Sequence, residues 1–446
     1  MLENECNPVT RLADRHHLTV IESLLNELPS HWKRIQLKNA LNSISSGLAI
    51  EQDKVRAGYP ITRIETMTHE RIDATKVGYV SGVSPATVES YRLQIGDILF
   101  SNINSEPQVG RSVVFEGHPP LLLHGMNLLR LEVNEHIVLP SMLNYIFIFY
   151  RIHGAFRSIA SRAVGQASIN RGRVESMKIA IPPMDEQQAI IKALRAVQQA
   201  KKAREREIEL GHEHKAALMK HLFSYGTRGE ITKQTEVGQM PEGWSIAALR
   251  DLGEIQSGGT PSRTKAEFYN GDITWVKTLD LNEGVVAKTE ESITSQGLKS
   301  VRGKIRPIDT VMVAMYGGAG TVGKTGILGV PAATNQAVCC IMPNSERVDP
   351  FYLLYCLIGI RPTWMSQAIG TRKDPNINKG IVQKLKIPLP SIEEQHEIKS
   401  ILQACDAKIS ILKNETKLLQ EVFTTMLEEF MTGRLSSKPL IEVATA

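Results

Sequence analysis

Residues 318–325 read GAGTVGKT and satisfy the GxxxxGK[ST] spacing of a phosphate-binding loop. In such a loop, backbone amides and a helix N-terminus hold the phosphates and a lysine, here Lys324, adds charge. A strand is predicted ahead of it, from Val311 to Met315. The following segment, GILGVPAATN, carries two glycines and a proline, which predict no helix. The loop therefore reads as a Gly-rich turn between strands, with ATP hydrolysis through Lys324 kept as an alternative. His212 and His214 are two apart on a predicted helix, so they point to divergent faces and make a poor metal pair. His16 and His17 sit in a polar leader. No GxSxG or HExxH occurs, and NPVT at Asn7 fails an adenine-methylation motif at its third position. No S-adenosylmethionine loop is apparent. Five cysteines without a CxxC pair exclude a zinc ribbon and argue against a disulfide scaffold, which fits a reducing cytoplasm. The chain reads as non-catalytic, with no cofactor and no metal of its own.

What remains are cations and amides in loops, the residue types that hold phosphates and read base edges. Two clusters stand out, RAVGQASINRGR from Arg162 and GTRKDPNINKG from Gly370, at equivalent places in the two halves of the chain. The loop residues of these types are Arg63, Arg71, Arg111, Arg162, Gln166 and Arg171 in the first half, and Arg263, Lys277, Lys324, Arg372, Lys373 and Lys379 in the second. A formal charge of +5, from 52 basic and 47 acidic residues, permits nucleic-acid binding without requiring it.

The 446 residues predict about three domains' worth of material. At 42% hydrophobic and 22% charged, the composition excludes wholesale disorder. The first thirty residues lack a signal-like apolar core, and the most apolar run, Met142 to Tyr150, is too short to span a bilayer. The chain repeats itself. LPSHWKRIQLKNALNSISSG from Leu28 returns as MPEGWSIAALRDLGEIQSGG from Met240, aligning Pro29/Pro241, Trp32/Trp244, Leu37/Leu249 and Gly47/Gly259. SINRGRVESMKIAIPPMDEQQAII from Ser168 returns as NINKGIVQKLKIPLPSIEEQHEIK from Asn376, with 10 of 24 positions identical, among them Asn170/Asn378, Gly172/Gly380 and Gln187/Gln395. VGR at Val109 matches VGK at Val322, but the rest between these anchors has diverged. Shared frames imply shared scaffolding, and divergent middles imply two recognition surfaces.

Each half ends in a predicted helix of 38 residues, Asp185 to Leu222 and Glu393 to Phe430, about 57 Å long. Both show a 4-3 rhythm. The second seam is Ile398, Leu402, Cys405, Ile409, Leu412, Thr416, Leu419, Phe423, Met426 and Phe430. The first maps onto it through Ile190, Leu194, Val197, Lys201, Arg204, Ile208, Gly211, Lys215, Leu218 and Leu222. Matching lengths and registers predict an antiparallel pair, with Lys201 and Arg204 laying their stems along the partner; two separate core helices are the alternative. The middles read as short strands, such as those in GDILFSN, RSVVFEG, TVMVAMYGG and AVCCIMPN, followed by helices from Ser141 and Pro350.

These features together resemble the specificity subunit of type I restriction–modification systems. The likeness rests on Pro29/Trp32 and Pro241/Trp244, on SGGTP from Ser257, and on the two INxG…DEQ/EEQ segments that lead into long helices. It covers nearly the whole chain. It implies an α+β fold of two β-rich target-recognition domains joined by two long helices in an antiparallel coiled coil, with a pseudo-two-fold internal repeat. The expected layout is a leader (1–28), a first recognition domain (29–182), a first helix (183–225), a connector (226–240), a second recognition domain (241–390), a second helix (391–432) and a tail (433–446). The leader, with a helix-like stretch from Thr19, and the tail are expected to replace the connector by pseudo-symmetry and close a near-ring. The implied function is reading a bipartite target in double-stranded DNA, one half per domain, in a bacterial or archaeal cytoplasm, with the loop residues named above, from Arg63 to Lys379, as the candidate DNA contacts. The implied partners are two methyltransferase subunits and up to two restriction subunits, with S-adenosylmethionine, ATP and magnesium used by those partners. A two-headed DNA-binding scaffold without a methyltransferase is the alternative.

Overall fold

The structure is a computed structural model that describes residues 20–52, 56–68, 71–317, 320–370 and 375–445. Two compact units divide the chain, one formed by Met1–Ala203 with Glu415–Ala446, the other by Arg204–Asn414. Each unit holds one β-rich domain and its share of both long helices.

The repeat anchors are the places where each domain closes on itself. In the first unit the strand Lys33–Gln36 pairs antiparallel with Lys178–Ile181. In the second, Ser245–Ala248 pairs antiparallel with Lys386–Leu389 in the same register. The opening and closing frames of each half are thus hydrogen-bonded to each other, and the diverged middle is looped out between them. Leu37 then donates its N–H to Met177 O, and Leu249 to Leu385 O, the same bond twice.

The middles form related sheets. In the first unit Leu41–Ser46, Leu129–Val133, Ile98–Phe100 and Ser112–Val114 lie in that order, all antiparallel. In the second, Gly253–Ser257, Val338–Pro343, Val311–Ala314 and Thr325–Leu328 repeat the order, with Val285–Val286 added in parallel at the edge. The apolar run too short for a membrane becomes the central helix of the first core. Pro140–Ile152 is buried at every residue from Met142 to Tyr150, as an all-round apolar helix must be. Pro350–Gly359 does the same in the second core, buried from Tyr352 to Leu357. Among the described residues, no helix is long and apolar enough to cross a membrane.

The two long helices span Met184–Tyr225 and Ile392–Met431, a few residues beyond the predicted ends. Every predicted seam position on both is buried or half-buried. They run antiparallel in the second unit, where Gly211 meets Ile409 and Lys215 meets Asp406 at 2.5 Å. A Cβ on Gly211 would lie 3.0 Å from Ile409 Cγ1, so this glycine lets the helices approach closely. In the first unit Ile190 and Leu194 share a core with Phe423, Leu427 and Phe430, each fully buried side chain contributing about 1.5–3 kcal/mol. Lys201 reaches Gln420 there instead of solvent.

Gly226 and Gly433 end these helices at φ 68° and 72°, the left-handed stop that favours glycine. Gly226 packs beside Pro241, and Gly433 beside Pro29. The end of the second helix therefore docks at the start of the first domain. The leader contributes the helix Val20–Glu27, with Leu24 and Leu25 buried in the first core.

One buried group makes the first unit acid-sensitive. His124 is buried, its Nε2 3.0 Å from Leu128 O, and desolvation lowers its pKa to about 4. Its ordinary value is about 6.5, so the unfolded chain binds a proton that the folded chain refuses. This contribution is present above about pH 6.5 and is lost as pH falls toward 4, amounting to at most about 3 kcal/mol. Burial raises Asp97, which offsets part of the loss at the acid end. Denaturant midpoints at pH 7.5 and 5 should show the first unit weakening, and His124→Gln should flatten the slope. An unchanged midpoint in the parent chain would refute this assignment.

Candidate nucleic-acid interface

The DEQ and EEQ helix entries are built as clamps. Gln187 and Gln395 are buried at the first turns of the long helices. Gln187 Oε1 accepts from Leu139 N at 2.8 Å, and its Nε2 donates to Ile137 O and Pro182 O. Gln395 Oε1 accepts from Asp349 N at 2.8 Å, and its Nε2 donates to Arg347 O and Pro390 O. One carboxamide thus fastens the core helix, the closing strand and the long helix together. Beside it, Trp32 Nε1 donates to Glu186 at 3.2 Å and Trp244 Nε1 to Glu394 at 2.9 Å. The sequence aligned both tryptophans and both glutamines without revealing that they converge.

The VGR and VGK anchors are equally structural. Gly110 (φ 80°) and Gly323 (φ 74°) take left-handed backbone. A Cβ on Gly110 would lie 2.2 Å from the Phe156 ring, and one on Gly323 2.5 Å from the Trp364 ring. Lys324 is followed by the strand Thr325–Leu328, not by a helix. The glycine that mimics a phosphate loop is there to admit an indole.

On this frame the first domain carries a small sheet. The hairpin Ser161–Ala163/Gln166–Ser168 pairs with Ile103–Asn104. Asn170 caps the short helix Arg171–Ser176 by accepting from Arg173 N at 2.8 Å, and Arg173 ties that helix back to Ile159 O and Ser161. Arg162, Gln166 and Arg171 are thereby gathered on one hairpin and the helix against it. All three are exposed; Arg162 pairs with Glu106 at 2.9 Å and Arg171 with Glu175 at 2.7 Å. The other candidates lie apart from them in the chain. Arg63 is exposed and donates to Gln52. Arg71 is exposed on the strand Arg71–Ile72. Arg111, half-buried, donates to Met67 O at 2.8 Å, next to the strand that pairs with Arg71.

In the second domain Asn378 caps Lys379–Lys384 through Ile381 N, repeating Asn170, and leaves Lys379 exposed at its start. The strands Ile369–Gly370 and Pro375–Asn376 pair ahead of it; Arg372 and Lys373 lie outside the described residues. Arg263 and Lys277 converge on Glu291, Arg263 at 2.6 Å and Lys277 at 2.5 Å. Arg263 also stacks over Tyr269, 4.6 Å from its centroid. Glu291 holds both cations charged, and Arg263 with Lys277 holds Glu291 below the usual carboxylate range. Lys277 is only 16% exposed, so it is more firmly committed to the fold than Lys379. Lys324 is half-buried at the base of its turn.

Comparison with known proteins matches the family described as "Type I restriction modification DNA specificity domain" twice, over residues 29–210 and 241–421. The chain belongs to the type I restriction–modification specificity subunits. It is 33% identical over 431 residues to the putative type I restriction enzyme MjaX specificity subunit of Methanocaldococcus jannaschii, covering 93% of this chain and 96% of that one. It is 24% identical over 413 residues to the EcoBI specificity subunit of Escherichia coli, covering 85% and 81%. Its fold is similar to the type I S subunit from M. genitalium, with TM-score 0.55, 12% identity and coverage of 93% and 99%. A chain from a structure of type I complex assembly also has TM-score 0.55, at 17% identity and 92% and 99% coverage. The two family matches begin at Pro29 and Pro241, so each match of this specificity subunit opens on its Pro/Trp frame.

Proposed function

We propose that this specificity subunit reads a split target in double-stranded DNA, one half per domain, and that its long helices fix the unread spacer. The observation that carries the reading is the doubled clamp. Gln187 and Gln395 hold two diverged domains to two equivalent helices by the same three hydrogen bonds. A frame kept alike around unlike surfaces suits one mounting with two specificities. Helices of 42 and 40 residues are about 60 Å long, against about 34 Å for one DNA turn.

The chain itself performs no chemistry in this reading. Two methyltransferase subunits and up to two restriction subunits dock on it and carry the S-adenosylmethionine, ATP and magnesium sites. Candidate docking faces are the apolar side chains that the second helix leaves exposed, Leu418 and Val422 in the first unit and Ile401 and Ile411 in the second. Co-expression with the methyltransferase encoded beside it, followed by genome-wide mapping of methylated adenines, tests the reading. A split motif that disappears without this chain supports it. No new methylation from soluble partners would favour a DNA-binding scaffold without a methyltransferase.

Arg162, Arg171 and Lys379 are the foremost phosphate contacts in this proposal. Exposed ion pairs such as Arg162–Glu106 and Arg171–Glu175 are worth about 0–1 kcal/mol, so a phosphate can displace either carboxylate. Arg162→Ala and Arg171→Ala should each reduce the slope of log affinity against log salt by about 1 without changing the sequence preferred. Gln166→Ala should leave the slope alone. Unchanged slopes in both arginine variants would remove them from the interface.

A further inference from the structure

The tip of the first domain's hairpin carries a side chain that the fold does not use. Val164 is fully exposed, more so than any other large apolar side chain among the described residues. It lies between Ala163 and Gly165 where the chain reverses, with Ala163 paired to Gln166 across the turn. Gly165 closes the reversal at φ 73°, and nothing lies within 4 Å of where its Cβ would be. The base, by contrast, is fixed. Ala167 and Ile169 are buried, the second strand pairs with Ile103–Asn104, and Arg173 bonds Ser161 at 3.2 Å. A ribbon anchored at its base thus presents a bare apolar tip to solvent. Four arginines and no acidic residue lie between 157 and 173 along the chain.

We infer that this hairpin enters the DNA major groove and that Val164 and Gln166 set base specificity in the first half-site. The inference rests on the split-target reading above. The major groove admits a two-stranded ribbon. At its floor an exposed apolar side chain finds one apolar feature, the thymine C5-methyl, and a glutamine carboxamide matches adenine N6 and N7. Val164 and Gln166 together suit A·T steps, while Arg162 and Arg171 flank them for phosphates. An isolated valine in water gains nothing from its exposure; against a thymine methyl it loses hydrated surface.

The test is selection from randomised double-stranded DNA by the full chain in complex with its methyltransferase. The parent is compared with Val164→Ser, Gln166→Ala and the control Ile95→Ser, another exposed apolar residue of the same unit. The parent should select a split motif. Val164→Ser and Gln166→Ala should each lower discrimination about five- to a hundredfold at one or two A·T positions of one half. The other half and the spacer should stay as they were, and Ile95→Ser should match the parent. Because Val164 and Gln166 are exposed, circular dichroism should show every variant folded. A parent that selects a split motif, with both tip variants selecting the same motif equally well, would overturn the inference and leave the split-target reading standing. Relaxed preference in both halves would overturn it too. A parent that selects no motif would remove the split-target reading and this inference with it.

Discussion

Gln395→Ala will lower the stability of the second unit by about 3–5 kcal/mol. The carboxamide is buried and answers three backbone groups, Asp349 N, Arg347 O and Pro390 O. Its removal strands all three, and a buried group left unsatisfied costs about 1–3 kcal/mol. Partial relaxation keeps the sum below the upper limit. A loss of this size is a large share of the roughly 5–15 kcal/mol that holds a typical domain. Gln187→Ala should do the same to the first unit through Leu139 N, Ile137 O and Pro182 O. Two units need not unfold together, so a denaturation curve should show one transition moving in each variant while the other stays. A shift under 1 kcal/mol in both would mean the clamps are not what secures the helix entries. Arg171→Ala, which alters only an exposed pair, is the control and should stay within about 0.5 kcal/mol.

One added turn in the middle of both long helices will move the target rather than abolish binding. Four residues add about 6 Å and advance the helix by about 40° beyond a full turn. One base pair adds about 3.4 Å and about 35° of twist at 10–10.5 base pairs per turn. Length alone would allow one or two extra base pairs; the phase selects one. The spacer should therefore lengthen by one base pair, and both half-sites should remain as they were. The parent target should be lost, since one half would then be out of reach. Mapping of methylated sites with the lengthened chain checks this. An unchanged spacer in a folded, active complex would refute the ruler.

The sequence by itself determined the repeat, the element types and the seam. Ile398 to Phe430 at a 4-3 rhythm could only be one helix face, and every position of that rhythm faces inward. Periodicity is a local property, set by bond geometry within one element, so it survives in the one-dimensional record. The unusual apolar density of Met142 to Tyr150 likewise marked a buried segment. The place of the cluster around Arg162, Gln166 and Arg171 was legible, because it repeats in both halves, but its hairpin and capped helix were not. What a repeated residue touches was not legible. Gln187 and Gln395 read as helix-entry residues, yet each one's carbonyl oxygen accepts from a backbone N–H 48 or 46 positions away. Gly323 fitted a phosphate loop by spacing, and only the Trp364 ring beside it explains the glycine. Which cations stand exposed was equally hidden. Lys277 and Lys379 are the same residue type in the same domain. One is covered by Glu290 and Glu291 and the other stands exposed. Such choices depend on distances between residues far apart in the chain, and those distances exist only once the opening and closing frames have paired.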